Sequence, residues 1–533
     1  MRRVVMPVVV VLTVALIGIQ SAVALGTGGW DHVGVGATST APSLAGGSSV
    51  TALNANNPGT LYVGGNFTSA GGNTHAQRIA AWNGSTWSAL GNGLADGDVR
   101  AIAYHAGKVY AGGTFHNAGG NADADFLAVW NGSTWAPFCS SGNPGPAFTA
   151  TVSALQIVGN TLYVGGSFAN AGGNPAADFL AGCDLTSGAL TATVANDGDL
   201  NSGIYALTAD SNGILYAGGG FINLAGIPEA DHVAAYNGST WQAMGNGVDD
   251  FVRSLTATGT TVYVGTDSVN VGGIVQADHV ARWNGSAWSA VGSNTAGTDG
   301  WFPSSTTIDG LKTYGSVVVA VGSFQNANGV ATADQVAYFD GSAWQPIGSD
   351  GAGNGPLPGH PTAVGITGGK VYVGGNFTSA GGDSRARWIA AHGLRQPDVS
   401  IAGTLSGAYL GNNVYSATGA GESRHVQVQR GHQVTVYVRV QNDGLVPASF
   451  TLEGSGRQSG ISAHYSVGGA SVTTSVLAGT YATASIPARG YVVLRVVVTV
   501  ASSSASSATL VTTARSQAGT PSDAVRIAVS VVS

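Results

Sequence analysis

The sequence predicts an all-β protein, a seven-bladed β-propeller followed by a C-terminal β-sandwich. Three observations lead to this prediction: one eleven-residue stretch recurs seven times, only 9% of the residues are charged, and a different strand pattern begins near Pro397. Gly occupies 83 positions, and Gly-rich turns between short β-branched runs are typical of strands joined by tight loops.

The recurring stretch sets the period of the repeat. It reads YVGGNFTSAGG at Tyr62 and, letter for letter, at Tyr372, and successive copies are 47 to 56 residues apart. A period near 50 residues is typical of a four-stranded propeller blade rather than a helical solenoid. The five degenerate copies begin at Tyr110, Tyr163, Tyr216, Tyr263 and Val319.

Each repeat predicts four strands, here called a to d. In the first repeat these are VTALNA at 50–55, LYVGGNF, IAAW at 79–82 and TWSAL. Asn83 and Gly84 between strands c and d predict a two-residue hairpin of type I′, in which both central residues need positive φ. We expect the Gly pair of strand b to allow close packing of neighbouring blades, and aromatic pairs such as Trp82 and Trp87 to fill the space between them.

The seventh repeat stops after strand c, at His392, and lacks a strand d. The missing piece is at the other end of the chain, because WDHVGVG at 30–36 matches strand d of the first repeat in its Trp, apolar and Gly positions. We therefore expect the N-terminal strand to complete the last blade. A propeller of residues 25–397 closed in this way has no exposed sheet edges.

Residues 1–24 predict a secretory signal peptide. Arg2 and Arg3 precede an apolar run that ends at Ala22-Val23-Ala24, a small-residue cleavage site. A retained membrane anchor is the alternative interpretation. No other apolar stretch is long enough to span a bilayer, so the expectation is a secreted, extracellular or cell-surface protein with no membrane span after cleavage.

Residues 398–533 predict an immunoglobulin-like β-sandwich. Alternating apolar runs occur at 425–429, 433–441, 448–454, 491–500 and 523–532, separated by turns such as Asn442-Asp443-Gly444. About seven strands in a segment of this length are typical of a sandwich.

The repeat pattern resembles known propeller families. Gly-Gly after strand b and aromatics in strands c and d, as in IAAWNGSTWSALG, resemble kelch-type propellers. They look still more like the repeats of the fungal cortical cell-polarity marker and related secreted bacterial proteins. VTVYVRVQNDG, in the C-terminal part, is similar to adhesion-type immunoglobulin-like modules of bacterial surface proteins. The resemblance covers residues 30–395 of the repeat region and implies surface or extracellular interaction, with no shared chemistry.

No catalytic motif appears. The chain lacks G-x-S-x-G, H-E-x-x-H and G-x-x-x-x-G-K-[ST], and its 11 His are scattered. We therefore expect no enzyme activity, no cofactor and no metal. The stretch from Asp197 to Gly203 resembles the start of a calcium loop but lacks the glutamate of the twelfth position, so a polar loop is the better interpretation. A net charge of −7 without a basic cluster disfavours nucleic acid as a partner.

Two groups of residues are candidates for a special role. Cys139 and Cys183 fall on neighbouring blades, so either a disulfide or two buried thiols is expected of an exported chain. A series of carboxylates occupies one place in five successive repeats, two residues before strand c. Its members either accept N–H bonds from their own Gly-rich loops or form an acidic binding arc for cations or a basic partner. The series is Asp125, Asp178, Asp231, Asp278 and Asp334, with Gln77 and Arg387 in the first and seventh repeats.

Two functions are compatible with this sequence. The favoured one is an exported, non-enzymatic surface or extracellular interaction protein, with the propeller as recognition platform and the sandwich as spacer or anchor. The alternative is a secreted glycan-binding or glycan-active propeller protein. Several Trp side chains converging on an open pocket beside two carboxylates would favour the alternative.

Overall fold

The computed structural model describes residues 29–532, apart from residues 37, 39, 48, 140–144, 176, 192–201, 413, 504–505 and 517–521. The all-β prediction is confirmed: within these residues the regular structure consists of strands, short 3₁₀ turns and one α-helix, Thr473–Leu477. The expected signal peptide, residues 1–24, and most of the calcium-like loop, residues 197–201, lie outside the described residues. No helix in the described part is long and apolar enough to cross a membrane.

Seven four-stranded antiparallel sheets form the repeat region, each with strands a to d in spatial order. Strands a to d are Val50–Asn57, Thr60–Gly65, Ile79–Trp82 and Trp87–Ala89 in blade 1; Val99–His105, Lys108–Gly113, Leu127–Trp130 and Trp135–Pro137 in blade 2; Val152–Val158, Thr161–Gly166, Leu180–Asp184 and Leu190–Thr191 in blade 3; and Ile204–Ala209, Leu215–Gly219, Val233–Tyr236 and Trp241–Ala243 in blade 4.

The remaining blades follow the same plan. Strands a to d are Val252–Thr258, Thr261–Thr266, Val280–Trp283 and Trp288–Ala290 in blade 5; Ile308–Tyr314, Val317–Gly322, Val336–Phe339 and Trp344–Pro346 in blade 6; and Gly359–Thr367, Lys370–Phe377, Ile389–Gly393 and Trp30–His32 in blade 7. A short bridge pairs Leu44–Ala45 with Ser69–Ala70. The a strands of successive blades contact one another, and that of blade 7 contacts that of blade 1, so the sheets form a closed ring.

The N-terminal strand closes this ring, as predicted. Trp30–His32 pairs antiparallel with strand c of blade 7, placing Trp30 opposite His392 and Asp31 opposite Ala391. Trp30 is fully buried, and its indole N–H donates to the carbonyl oxygen of Ile347 in blade 6 at 3.1 Å. The closing strand therefore bonds to its own blade and to the neighbouring one.

The Gly pair of strand b permits the close blade contacts expected of it. A methyl group built on Gly64 would lie 2.5 Å from Cγ1 of Val99 in blade 2, so only a hydrogen fits there. At the closure Gly374 of blade 7 meets Val50 of blade 1 in the same way. The contact between the last and first blades thus repeats the contact between consecutive blades.

The expected type I′ hairpin is wrong. Trp82 pairs with Trp87, which leaves a four-residue loop at 83–86, and in that loop only Gly84 has positive φ, 95°. The Asn83 carboxamide oxygen accepts the N–H groups of Ser85 at 2.9 Å and Thr86 at 2.8 Å. This side-chain turn satisfies the loop amides without moving Asn83 into the left-handed region.

The antiparallel order of the strands gives the ring two faces. The a–b and c–d connections lie on one face, here called the lower face, and the b–c and d–a connections lie on the other, the upper face. The b–c connections contain five 3₁₀ turns: Ala118–Gly120, Ala171–Gly173, Leu224–Gly226, Val271–Gly273 and Ala327–Gly329. Strand a is the innermost strand of each blade, so its free edge, which has no neighbouring strand, borders a central channel.

Two five-stranded sheets follow the propeller and share one hydrophobic core. Their facing side chains include Val438 and Leu494 from one sheet and Phe450 and Ile527 from the other. In spatial order the strands are Pro397–Ala402, Gln433–Asn442, Tyr491–Val500, Ile461–Val467 and Ala470–Ser471 in the first sheet, and Ser423–Gln429, Ser522–Val532, Ser507–Ser516, Phe450–Gly454 and Tyr481–Ala482 in the second.

The sandwich packs against the rim of the propeller. Leu445 and Val446, from one of its loops, join the apolar cluster that contains Trp30 and Leu394 of the propeller. The Leu445 N–H donates to the Leu394 carbonyl oxygen at 2.9 Å. The guanidinium of Arg489 donates to the carbonyl oxygen of Pro346, in strand d of blade 6, at 2.6 Å.

Candidate functional site

The five-carboxylate series makes local backbone contacts in the structure. In each of these blades the carboxylate accepts the N–H of the Asn eight residues earlier, at 2.6 to 2.8 Å. Each such Asn is in the left-handed region, with φ between 48° and 54°, and begins the 3₁₀ turn. The pairs are Asn117 with Asp125, Asn170 with Asp178, Asn223 with Asp231, Asn270 with Asp278, and Asn326 with Asp334.

Blades 1 and 7 provide an internal comparison for this contact. Gln77 and Arg387 replace the Asp there, and Ser69 and Ser379 replace the Asn. Neither Ser has positive φ, and neither loop contains a 3₁₀ turn. Asn and Asp thus occur together in the repeats, which favours the local interpretation over an acidic arc. Among the described residues no three His, Cys, Asp or Glu side chains are arranged to hold a metal.

Cys139 and Cys183 are joined by a disulfide between blades 2 and 3, with their Cα atoms 5.2 Å apart. Both are fully buried. Cys139 stands where blade 1 has Gly91, and Cys183 stands where blade 2 has Trp130, and that Gly and that Trp touch each other. The disulfide therefore replaces the Gly–aromatic contact that other blades make at the same place.

The Trp side chains of strand d link the blades. Two of them also line surface cavities of about 560 Å³, Trp135 together with Trp130 and Trp344 together with Trp301, and neither cavity has Asp or Glu in its lining. Four of these indole N–H groups donate to a carbonyl oxygen at the end of strand d in the preceding blade, as Trp30 does, whereas the buried Nε1 of Trp241 has no hydrogen-bond partner among the described residues. The pairs are Trp87 with Val33 at 2.9 Å, Trp135 with Leu90 at 2.9 Å, Trp288 with Met244 at 2.7 Å and Trp344 with Val291 at 2.5 Å. The feature that would have favoured a glycan-active site is therefore not formed by these indoles.

A cavity of about 310 Å³ lies at the junction of propeller and sandwich. The Asp443 carboxylate on its wall accepts the Tyr415 hydroxyl at 2.6 Å and the Gln441 amide at 2.7 Å. His392 Nδ1 is 3.0 Å from the Gly393 carbonyl oxygen, and burial lowers its pKa to about 4. Each of these hydrogen bonds lies within one of the two units, and the contacts between the units beside the cavity are those of Leu445 and Arg489.

The upper face of blades 4 and 5 departs from the rest of the ring. Tyr205, Ile222, Phe251 and Val269 are 38%, 45%, 39% and 40% exposed, respectively. We call these four residues the apolar face. The matching positions in other blades are polar, charged or small: Thr51, Arg100, Ser153, Arg253, Asp309 and Thr362 for Tyr205; Ser49, Asp98, Thr151, Gly203, Thr307 and His360 for Phe251; and Thr68, His116, Ala169, Gln325 and Thr378 for Ile222 and Val269.

The two aromatic rings of the apolar face lie close together. The ring centroids of Tyr205 and Phe251 are 6.1 Å apart, and the His232 ring meets Phe251 edge to face at 5.9 Å. Gly220 makes room for Phe251, since a methyl group on it would lie 2.6 Å from Cε1 of that ring. The matching residue in every other blade carries a side chain, as Asn66 does in blade 1.

Charged groups border the apolar face on two sides. The exposed residues Asp249, Asp250 and Glu229 lie on the adjacent loops. Towards the channel, Arg253 forms a bidentate ion pair with Asp267, with nitrogen to oxygen distances of 2.7 and 2.6 Å. Because that guanidinium is neutralised, the free charge at the border is negative.

Further along the channel mouth, the ring of His360 lies 2.8 Å from a carboxylate oxygen of Asp309. This hydrogen bond raises the pKa of His360. The mouth of the channel on the upper face is therefore lined by paired charges, whereas the four residues of the apolar face beside it are exposed and uncharged.

Sequence reasoning missed the apolar face. Each of its residues is ordinary when taken alone. The apolar face becomes visible only when the residue at each position is compared with the residues at the same position in the other blades. That comparison requires the strand register, which fixes Phe251 as the counterpart of Ser49.

No family model and no curated protein matches the chain. Among solved structures, a family 123 glycoside hydrolase from Clostridium perfringens is 8% identical over 26% of this chain and 27% of that chain, with a TM-score of 0.18. Domains 4 and 5 of the S-layer protein SbsC are 16% identical over 32% and 67%, with a TM-score of 0.13. The secreted serine protease VesC from Vibrio cholerae is 9% identical over 62% and 65%, with a TM-score of 0.16.

These similarities carry no argument about fold or function, because their TM-scores are low. The chain spans about a quarter of the glycoside hydrolase structure that it matches. The class of the protein rests on its own geometry, that of a β-propeller-like repeat protein with four-stranded antiparallel blades.

Proposed function

We propose that this chain is an exported, non-enzymatic interaction protein of the cell surface or extracellular space, and that it binds a protein partner through the apolar face of blades 4 and 5. The resemblance of the repeats to kelch-type propellers and to secreted bacterial repeat proteins supports this proposal. The sandwich, similar to adhesion-type modules, serves as spacer or anchor.

One observation carries the proposal. Four exposed apolar departures from the repeat, Tyr205, Ile222, Phe251 and Val269, fall on the upper face of two adjacent blades, whereas Tyr314 lies on the lower face of blade 6. Packing within the ring does not require them, because other blades build the same strands with Ser or Thr at these places. Contiguous exposed apolar groups with a polar border are typical of interaction sites.

The charge around the face indicates the chemistry of the partner. Asp249, Asp250 and Glu229 are exposed at its border, and the nearest cation, Arg253, is held by Asp267. A partner surface that combines apolar side chains with Lys or Arg complements this arrangement, since opposite charges around an apolar centre favour association.

The test compares two sets of substitutions with the protein lacking residues 1–24. Tyr205→Thr with Phe251→Ser copies the residues of blade 1, Thr51 and Ser49, and so respects the repeat. Tyr314→Thr is the matched control, since Tyr314 is equally exposed, 38%, but lies at the end of strand a on the lower face. The probe is an array of extracellular proteins, with positive interactions measured again by calorimetry.

We expect the double variant to bind its array partners about tenfold or more weakly, as is usual for the loss of buried aromatic anchors. The Tyr314 variant should bind like the unsubstituted protein, and added salt should weaken binding. Equal binding by the double variant, or equal loss in the control, would contradict the proposal.

A second candidate is glycan binding at the same face. The observation in its favour is the exposed pair of rings, Tyr205 and Phe251, 6.1 Å apart beside the polar groups of Arg253 and Asp267. Saturable binding on a glycan array that is lost in the double variant, with no protein partner, would favour this candidate over the first.

A further inference from the structure

The central channel contains a second, separate feature. Its half nearer the lower face holds a cavity of about 270 Å³, lined by strand a of all seven blades. Strand a is the innermost strand of each sheet, so its free edge has no β-partner on the channel side. Backbone N–H and C=O groups of seven strands therefore face this cavity.

One side chain in the cavity wall is charged. At the position that strand register makes equivalent, the seven blades carry Asn54, Ala103, Gln156, Thr208, Thr256, Lys312 and Gly365. No Asp or Glu belongs to the cavity lining. Lys312 is thus a single cation in a polar cavity.

Lys312 has no counter-ion among the residues that the structure describes. Each of the seven ion pairs formed there involves other cations. Burial lowers the pKa of the Lys312 ammonium, and no neighbouring charge opposes that effect. The chain has only two other lysines, of which Lys370 is paired with Asp31 at 3.1 Å and Lys108 is exposed.

Lys312 is half-buried in the channel, and an ammonium group without a counter-ion in such a confined site is stabilised by binding an anion. Sheet edges with free N–H groups are themselves a setting in which proteins bind anions. A liquid water occupies roughly 30 Å³, so a cavity of about 270 Å³ holds a small oxyanion together with several waters.

We propose that the lower half of the channel is a binding site for a small oxyanion of the phosphate or sulfate class, held by the Lys312 ammonium and by backbone N–H groups of the surrounding a strands. The ring of Asn54, Gln156, Thr208 and Thr256 completes the polar wall. This site is independent of the apolar face, which lies on the opposite face of the propeller.

The experiment is calorimetric titration of the protein lacking residues 1–24 with inorganic phosphate and with sulfate at constant ionic strength, chloride being the background anion. We expect saturable binding of one oxyanion per chain. Lys312→Met should weaken it about tenfold or more, since bonds to a charged group are the strong ones. Lys312→Arg, which keeps the charge, should retain most of it.

Lys108→Met is the matched control, because Lys108 also borders an a–b turn but is exposed. It should bind like the unsubstituted protein. A second readout is proton uptake: burial lowers the pKa of Lys312 and a bound anion opposes that effect, so binding followed over a series of alkaline pH values should take up protons, measured by titration in two buffers of different ionisation enthalpy. A structural lysine would show no such uptake.

Thermal melting of the unsubstituted protein keeps the test decisive even if Lys312→Met does not fold. Phosphate and sulfate should raise the melting temperature in a concentration-dependent way, as ligands of the native state do. Absence of saturable binding by both anions, equal affinity in Lys312→Met, or equal loss in Lys108→Met would each overturn the proposal.

Discussion

Trp30 and His392 face each other across the two strands that complete the ring, with their ring centroids 5.4 Å apart in an edge-to-face arrangement. The pairing joins the first described strand of the chain to the last strand of the propeller. It also places Trp30 in the apolar cluster shared with Leu445 of the sandwich.

Trp30→Ala should destabilise the propeller by about 3–5 kcal/mol, as for other fully buried Trp residues. Deletion of residues 25–36 should be more severe because it leaves two open sheet edges. Thermal melting followed by circular dichroism measures both effects. Tyr491→Ala is the control, because Tyr491 is 57% exposed on the sandwich. If the deletion variant has the same melting temperature as the parent protein, closure of the ring by this strand is refuted.

Asp231→Ala should cost about 0.5–2 kcal/mol of stability, the usual range for loss of a side chain that caps a backbone donor. The lost contact is the bond from the Asn223 N–H to the carboxylate at 2.6 Å. The change in melting temperature should be the same with calcium and with chelator.

A compensated variant provides the control for that measurement. Asn223→Ser together with Asp231→Gln copies Ser69 and Gln77 of blade 1, and it should be more stable than Asp231→Ala alone. A calcium-dependent rise in melting temperature that disappears in Asp231→Ala would instead support the acidic arc.

Replacing both cysteines, Cys139→Ser with Cys183→Ser, should cost about 2–4 kcal/mol, because the disulfide closes a loop between residues 44 positions apart. Cys139→Gly with Cys183→Trp restores the pair found at Gly91 and Trp130, so it should recover part of that loss. Denaturant unfolding with and without reductant measures the effect. A parent protein insensitive to reductant would count against a stabilising disulfide.

Glu422 should make the sandwich less stable as pH rises. Burial raises the pKa of Glu422 to about 10, with Asp523 and Asp398 adding repulsion, and neither of its carboxyl oxygens has a hydrogen-bond partner among the described residues. The folded state keeps the proton that the unfolded state releases, so stability falls from about pH 4.5 upwards, by at most about 1.4 kcal/mol per pH unit.

Glu422→Gln removes that titration and should therefore stabilise the protein at pH 8 more than at pH 5. Urea unfolding monitored at both pH values is the measurement. Glu453→Gln is the matched control, because Glu453 is exposed and paired with Arg515. If the stability of the parent and of Glu422→Gln depends on pH in the same way, the pKa of this carboxyl group is the same in the folded and unfolded states, and the prediction is wrong.

Residues 398–533 should fold as an independent unit, because both sheets share a core of their own. Expressed alone, the fragment should give a β-type circular dichroism spectrum and a cooperative melt. Leu445→Ser should improve its solubility, since Leu445 is buried only against the propeller cluster. A random-coil spectrum would contradict the two-unit organisation.

The near-constant spacing of the seven copies carried enough information to predict seven blades and the closing strand, even though the third copy has Cys183 in place of the strand-c aromatic. The loop at Asn83 was predicted wrongly, since an Asn-Gly pair is compatible with two turn types and the hydrogen bonds of the Asn side chain decided between them. The role of Lys312 could not be predicted for another reason. Only the closed ring shows which residues lie across the channel from Lys312, and that they are uncharged.

Ring closure by Trp30–His32 also has a temporal consequence. The partner strand begins at Ile389, so more than 350 residues must be synthesised before the closing strand has anything to pair with. At about 5–20 residues per second, that wait lasts on the order of 20–70 seconds. During this interval the short strand that contains Trp30 is without its sheet, and the assembled blades present an open edge. The propeller is therefore most exposed to chaperones, proteases and other copies of the same chain just before the strand Ile389–Gly393 has been synthesised.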